Sequence, residues 1–218
     1  MNALVAMAVF VLNHIVIART RLKPTLIDRF GERVYLAGYS ALSLVLLGWV
    51  IWAVLAADRV LLWAPPEWGY GFAATVSLAG FILIGIGALT VNPLSVSFRK
   101  AGFDPDRPGT IGWVRHPLIW GLTLWGLAHI PANGDWPSLV LFAGSAAFGG
   151  IGVFAVERRL KRRLGDGEWR RLTAGRGHVD RSSLIGAALG LGLWLLLLAL
   201  HPVLFGADPL AVLLAQFS

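Results

Sequence analysis

Six apolar stretches, at 3–18, 34–57, 72–91, 118–130, 139–156 and 184–200, dominate this chain. A helix of about 20 apolar residues crosses a hydrocarbon core of about 30 Å. The pattern therefore predicts an all-α polytopic integral membrane protein, with six transmembrane helices in one domain over residues 1–218. The fourth stretch is short for a span, so its polar flanks are expected in the interface or sheltered by protein. The first lacks the basic start and small-residue cleavage site of a signal peptide and reads as a retained helix.

Composition agrees with a bilayer protein. Only 14% of the residues are charged and 56% are hydrophobic, against about 25% charged in a soluble domain. The ten tryptophans suit a membrane–water interface. Cysteine is absent, which excludes disulfides, iron–sulfur clusters and thiolate chemistry. A phosphate-binding glycine loop, a nucleophile elbow and a zinc HExxH pattern are absent too. Gly85 and Gly87 fall in the apolar third stretch and read as packing residues.

The net charge of +7 would suggest nucleic acid in a soluble protein. Here its distribution gives another reading. Eighteen of the nineteen basic residues lie in three segments, 19–33, 99–115 and 158–181, leaving only Arg59 elsewhere. The positive-inside rule puts these segments in the cytoplasm, with Arg21 and Arg163 inside. Both termini are then outside, together with Asp135 and Ser218. The bilayer is the expected partner, and nucleic acid is not.

The segment 157–181 is the largest polar piece. Val156, Leu160 and Leu164 share a helical face, which predicts a surface helix broken at Gly165-Asp166-Gly167. Trp169 and Leu172 are expected to dip into the headgroups. The basic residues suit a solvated face attracted to anionic lipid, or an anionic cofactor.

Histidine is where chemistry enters. An imidazole within an apolar helix is unfavourable unless it is paired or metal-bound. His14 is either a ligand or catalytic group, or is hydrogen-bonded to a neighbouring helix, with Asn13 as one partner. His116 stands between Arg115 and Pro117 at a helix start. Proline there is a structural device, and helix starts attract anions through free N–H groups. Arg115 and His116 are thus candidates to hold an anionic cofactor or substrate, or else form a structural interface cluster. His129 and His201 lie near the outer ends of their helices, and His178 reads as solvated. His14 is about 7 Å from Arg19 and His129 about 20 Å from Arg115 on straight-helix arithmetic. Unless Arg115-His116 re-enters the bilayer, or the first helix extends past Arg19 with snorkelling side chains, depth pairs His14 with His116 and His129 with His201.

The chain resembles the NnrU family of bacterial membrane proteins over nearly its whole length. The resemblance rests on Phe10 and His14, Gly31-Glu32-Arg33, Tyr35 and Ser40-Ala41-Leu42-Ser43. It continues through Val114-Arg115-His116-Pro117, Gly121, Trp125, Leu127-Ala128-His129 and Asn133-Gly134-Asp135. It ends on His201-Pro202-Val203-Leu204-Phe205-Gly206, Pro209 and Leu210. It implies a multi-pass protein of the bacterial inner membrane, and the family name associates it with denitrification and nitric oxide.

Two kinds of relative are implied. Zeta-carotene isomerase is similar over the same core and binds haem b, and its proposed iron ligands fall on His14 and His129. Its cysteine position is Gly126 here, so a thiolate ligand is not available. Bis-histidine ligation is what remains to a chain with no cysteine and only Met1 and Met7 as thioethers. Isoprenylcysteine and phospholipid methyltransferases share the Arg-His-Pro helix start. Their glutamate-led motif is similar to Glu157, Leu160, Gly165 and Trp169, although the residue types and spacing depart from it. That resemblance implies S-adenosylmethionine near Arg115, His116 and Glu157. Three readings follow: a haem b protein in redox, nitric-oxide-linked or isomerase chemistry; a membrane methyltransferase acting on a small or lipidic substrate; and a non-catalytic assembly or regulatory protein.

Overall fold

The computed structural model describes residues 2–99 and 101–215, so Lys100 and Ser218 lie outside the described residues. Among the described residues the regular structure is helical, with two isolated bridges, Leu61 with Asp135 and Val91 with Arg99. In order come α1 (Asn2–Arg19), α2 (Leu22–Phe30), α3 (Glu32–Leu55), α4 (Gly69–Leu89), α5 (Pro117–His129), α6 (Trp136–Thr173), α7 (Arg181–Phe205) and α8 (Pro209–Ala215). A 3-10 turn at Gly109–Gly112 precedes α5.

Four of these helices, α3, α4, α6 and α7, are long and apolar enough to cross a membrane. A fifth span arises if α1 and α2, bent by 73° at the break between them, act together. The apolar stretches at 34–57, 72–91 and 184–200 thus appear as α3, α4 and α7. The short stretch at 118–130 is the 13-residue α5, about 20 Å long. Large apolar side chains face outward, as in Ile151 at 70% and Val203 at 83% exposure. Lipid, not water, is the solvent that tolerates such a surface.

Two compact units form. The first comprises Met1–Ala64 and Gly134–Gly144, the second Pro65–Asn133 and Ser145–Ser218. Within the first, α1 packs on α3, and Ala6, Val50 and Ala53 are buried. The loop after α3 is fastened to the start of α6: Leu62 and Trp63 donate backbone N–H to the Gly134 carbonyl at 2.7 and 3.1 Å. Asp135 caps α6, its Oδ1 accepting from the Ser138 N–H at 2.9 Å. That cap buries Asp135.

Within the second unit α4 packs against both α5 and α7. Glycine makes this approach possible. A Cβ on Gly85 would press on the backbone of Gly186 and Gly190 in α7, and one on Gly87 would lie 2.6 Å from the Leu118 nitrogen in α5. The two glycines read as packing residues are therefore contact points for two different helices. Trp194 Nε1–H donates to Ser77 Oγ at 3.0 Å, tying α7 to α4 with a polar bond inside an apolar interface. Gly206, in the left-handed region at φ 70, ends α7.

The segment after residue 156 behaves differently from the expectation at one point. Helix α6 continues through it and is interrupted at Gly165, where φ is 78 and ψ 164. The break was expected there. Trp169, however, is buried in protein and not free to dip into headgroups. Trp169 is buried with Leu94 and Leu160, and Val156, Leu164 and Leu172 pack against that cluster. The apolar face finds protein to bury against, which removes its reason to seek the bilayer surface.

Candidate functional site

The strongest constellation in the second unit forms around the start of α5. Arg115 Nη2 donates to Glu157 Oε1 at 2.7 Å, and its guanidinium lies 5.9 Å from the Trp169 ring centroid. Their side chains are 43% and 27% exposed, so this is a rim pair and not a buried one. Three of the residues singled out from sequence, Arg115, Glu157 and Trp169, are thus brought together by the fold. Glu157 arrives from α6, 42 residues along the chain from Arg115.

His116 is placed by the same turn. It stands immediately before Pro117, the first residue of α5, and is 2% exposed. Its Nδ1 is 2.9 Å from Ser95 Oγ, and its Nε2 is buried with no hydrogen-bond partner. A buried imidazole nitrogen left unpaired costs about 1–3 kcal/mol. Burial holds this imidazole below its usual value of 6.5; Glu157 opposes the shift and Arg115 reinforces it. It is neutral at neutral pH.

The loop beneath is held by residues that sequence inspection did not single out. Asn92 Nδ2–H donates to the Arg115 carbonyl at 2.9 Å, and Asn92 Oδ1 accepts from the Leu94 N–H at 2.9 Å. Asn92 is fully buried. Its side chain closes the long connection between α4 and α5 onto the residue that carries the guanidinium.

At the other end of α5 stands His129. Its Nδ1–H donates to the Trp125 carbonyl at 2.8 Å. His201 on α7 does the same to the Leu197 carbonyl at 3.0 Å. The two rings are 6.4 Å apart, with 16° between their planes. Depth arithmetic had paired these two. His116 is the N-cap of α5 and His129 its last residue, so they lie at opposite ends of one helix.

His14 belongs to the first unit and His129 to the second. His14 Nδ1–H donates to the Phe10 carbonyl at 2.8 Å, and its Nε2 is 3.5 Å from Ser43 Oγ on α3. Tyr39 meets it edge-on at 5.5 Å. The neighbouring-helix partner is therefore Ser43, while Asn13 Nδ2 is buried without a hydrogen-bond partner among the described residues. His178 is half-buried, its backbone N–H donating to the Gly109 carbonyl at 3.1 Å. Among the described residues no group of three or more His, Cys, Asp or Glu side chains suits a bare metal ion.

Asp180 secures α7 close by. Burial raises its carboxyl, but hydrogen bonds from Ser183 and Ser182, together with His178, outweigh that and hold it below its usual 3.8. Its Oδ1 accepts from the Ser183 N–H at 2.8 Å. Ser183 Oγ in turn meets Thr110 Oγ1 from the 3-10 turn. This network is a helix cap that also anchors the loop leading to Arg115.

Comparison with known proteins follows the same residues. The family model described as NnrU protein matches residues 3–209. No curated protein and no solved structure matches the chain. The match takes in both units and every histidine discussed above, and the chain belongs to the NnrU family.

Proposed function

We propose that this protein is a six-span membrane protein of the bacterial inner membrane, with its basic segments in the cytoplasm and both termini outside, that binds haem b. Four helices are long and apolar enough to span; in this reading α1 and the short α5 would be the other two, with α2 and its basic residues on the cytoplasmic side. The haem reading rests on one observation. His14, His129 and His201 each commit Nδ1–H to the carbonyl four residues earlier. That bond leaves Nε2 as the lone-pair nitrogen and fixes the ring, which is how a histidine is prepared for a metal.

His129 and His201 are also neighbours, their ring centroids 6.4 Å apart and their planes 16° from parallel, so these two would be candidates to hold the group. The family resemblance assigns His14 with His129, so His129 is common to both pairings. Bound haem would supply one-electron redox and diatomic-ligand chemistry, in keeping with a redox, nitric-oxide-linked or isomerase-type role.

The experiment is a visible absorption spectrum of protein purified from haem-replete cells, with single alanine variants of His14, His116, His129 and His201. A Soret band is expected. It should be lost or shifted to high spin in His129→Ala and in the variant of its true partner, and unchanged in His178→Ala. A colourless parent, or unchanged spectra in all four variants, overturns the reading.

One observation favours a second reading. Arg115, Glu157 and Trp169 converge beside His116, a charged and aromatic set suited to an adenosyl cofactor with a carboxylate and a sulfonium. In that reading S-adenosylmethionine is the cofactor and the reaction is methyl transfer to a small or lipidic substrate. Calorimetry with S-adenosylmethionine tests it. No heat of binding, together with a colourless protein, would leave a non-catalytic assembly or regulatory role.

A further inference from the structure

Helix α6 carries two opposed faces beyond residue 150. Leu160 is buried, and Val156 and Leu164 pack with it. These three recur every fourth residue and face protein. On the other side Arg158, Lys161, Arg162 and Gly165 recur at intervals of three, four and seven and line one open cleft with Asp166, about 400 Å³ in volume. Spacing of this kind puts side chains on one helical face.

The same outer face continues upstream. Ile151 and Phe154, seven and four residues before Arg158, are 70% and 58% exposed. An exposed apolar stripe therefore runs along a membrane-length helix and ends in a basic cleft one turn past the last apolar residue. The charge in that cleft is uneven. Within it Lys161 is paired with Asp166 at 3.6 Å, and outside it Arg115 is paired with Glu157 and Arg171 with Glu168. Among the described residues, Arg158 and Arg162 have no ion-pair partner.

We propose that this stripe and cleft form a binding site for one anionic phospholipid. An acyl chain lies along Ile151 and Phe154, and the headgroup phosphate is held by Arg158 and Arg162. Guanidinium groups bind phosphate oxygens by paired, charge-assisted hydrogen bonds. A juxtamembrane basic cluster also sits where an anionic leaflet has its strongest field. The apolar stripe is what selects a lipid over free phosphate, since a soluble anion has no use for Ile151 and Phe154. The inference stands apart from the haem and methyl-transfer readings.

The test uses the full chain in detergent, with lipid binding followed by native mass spectrometry. Phosphatidylglycerol should bind more tightly than phosphatidylcholine. The double variant Arg158→Gln/Arg162→Gln should weaken phosphatidylglycerol by about thirtyfold and leave phosphatidylcholine unchanged. Arg170→Gln/Arg176→Gln removes the same charge outside the cleft and should weaken it by less than about threefold. If the glutamine pair fails to insert, Arg158→Lys/Arg162→Lys keeps the charge, loses the forked donors and should still weaken binding. Equal losses in the two glutamine variants would mean diffuse attraction and overturn the site. So would the absence of any preference for phosphatidylglycerol. Inorganic phosphate or glycerol 3-phosphate binding as tightly as the lipid would also overturn it, by showing a soluble-anion site.

Discussion

Arg115 reaches across 42 residues of chain to place its Nη2 2.7 Å from Glu157 Oε1, and the same guanidinium lies 5.9 Å from the Trp169 ring centroid. With side chains 43% and 27% exposed, such a pair contributes at most about 1 kcal/mol to stability. Its consequence is positional. It joins the start of α5 to α6 beside a buried histidine, Asn92 fixes the Arg115 backbone beneath it, and the guanidinium is held in one direction. Stability alone does not need that precision.

Arg115→Lys tests the point. Lysine keeps the charge but loses the fork-shaped donors and the planar stacking on Trp169. We expect membrane insertion to be normal and cofactor retention to fall by about tenfold, near 1.4 kcal/mol. The haem-to-protein ratio and the S-adenosylmethionine titration measure it. A lysine variant equal to the parent in both would reduce Arg115 to a topology signal.

Topology gives the second prediction. Arg163 lies in the densest basic segment, and Arg59 is the only basic residue outside the three. Both are exposed. In right-side-out and inverted vesicles, Arg163→Cys should label only from the cytoplasmic side and Arg59→Cys only from the other. Labelling of both from one side would overturn the six-span arrangement.

The apolar runs were legible because lipid imposes length and composition on a span, whatever its neighbours. Hence α3, α4, α5 and α7 lie within a few residues of the stretches at 34–57, 72–91, 118–130 and 184–200. The Gly165 break was legible too, because glycine carries its conformational freedom in the sequence. Helix α2 was not: Leu22–Phe30 is too polar to stand out and carries Pro24 near its start. The site was half legible. Arg115 and His116 stood out by their place at a helix start before Pro117, and Glu157 only through the methyltransferase resemblance. Ser95 and Asn92 did not, since a buried hydroxyl or amide matters only through a partner 21 or 23 residues away. Trp169 was misplaced because an indole after a basic helix suits both headgroups and a protein core. Leu94 and Leu160 decide the matter.

Packing of α4 gives the third prediction. A methyl group on Gly85 has no room against the α7 backbone, which cannot yield as a flexible side chain would. Gly85→Ala should destabilise the second unit by about 1–3 kcal/mol, the range for overpacking a filled interior. Gly48 meets nothing within 4 Å, so Gly48→Ala should be neutral or slightly stabilising. Denaturation in mixed micelles compares them. Equal behaviour would show that α4 and α7 are not held this closely.

The last prediction follows from His116 and concerns pH. Burial holds its imidazole below the ordinary 6.5 in the folded protein, with Glu157 opposing and Arg115 reinforcing the shift. Above 6.5 both folded and unfolded chains carry a neutral ring, and the contribution to stability is fully present. As pH falls through 6.5 the unfolded chain takes up a proton and the folded one does not. Stability is then lost, by up to about 1.4 kcal/mol per pH unit, until the folded value is reached. Asp180 does not mask the effect, because its carboxyl is held below 3.8 and titrates in a lower window. His116→Gln removes the titrating ring while leaving a polar side chain facing Ser95. Between about pH 7.5 and about pH 5.5 the parent's thermal midpoint should fall more steeply than the variant's. Parallel curves would mean that His116 titrates alike in the folded and unfolded chain, with Glu157 cancelling the effect of burial.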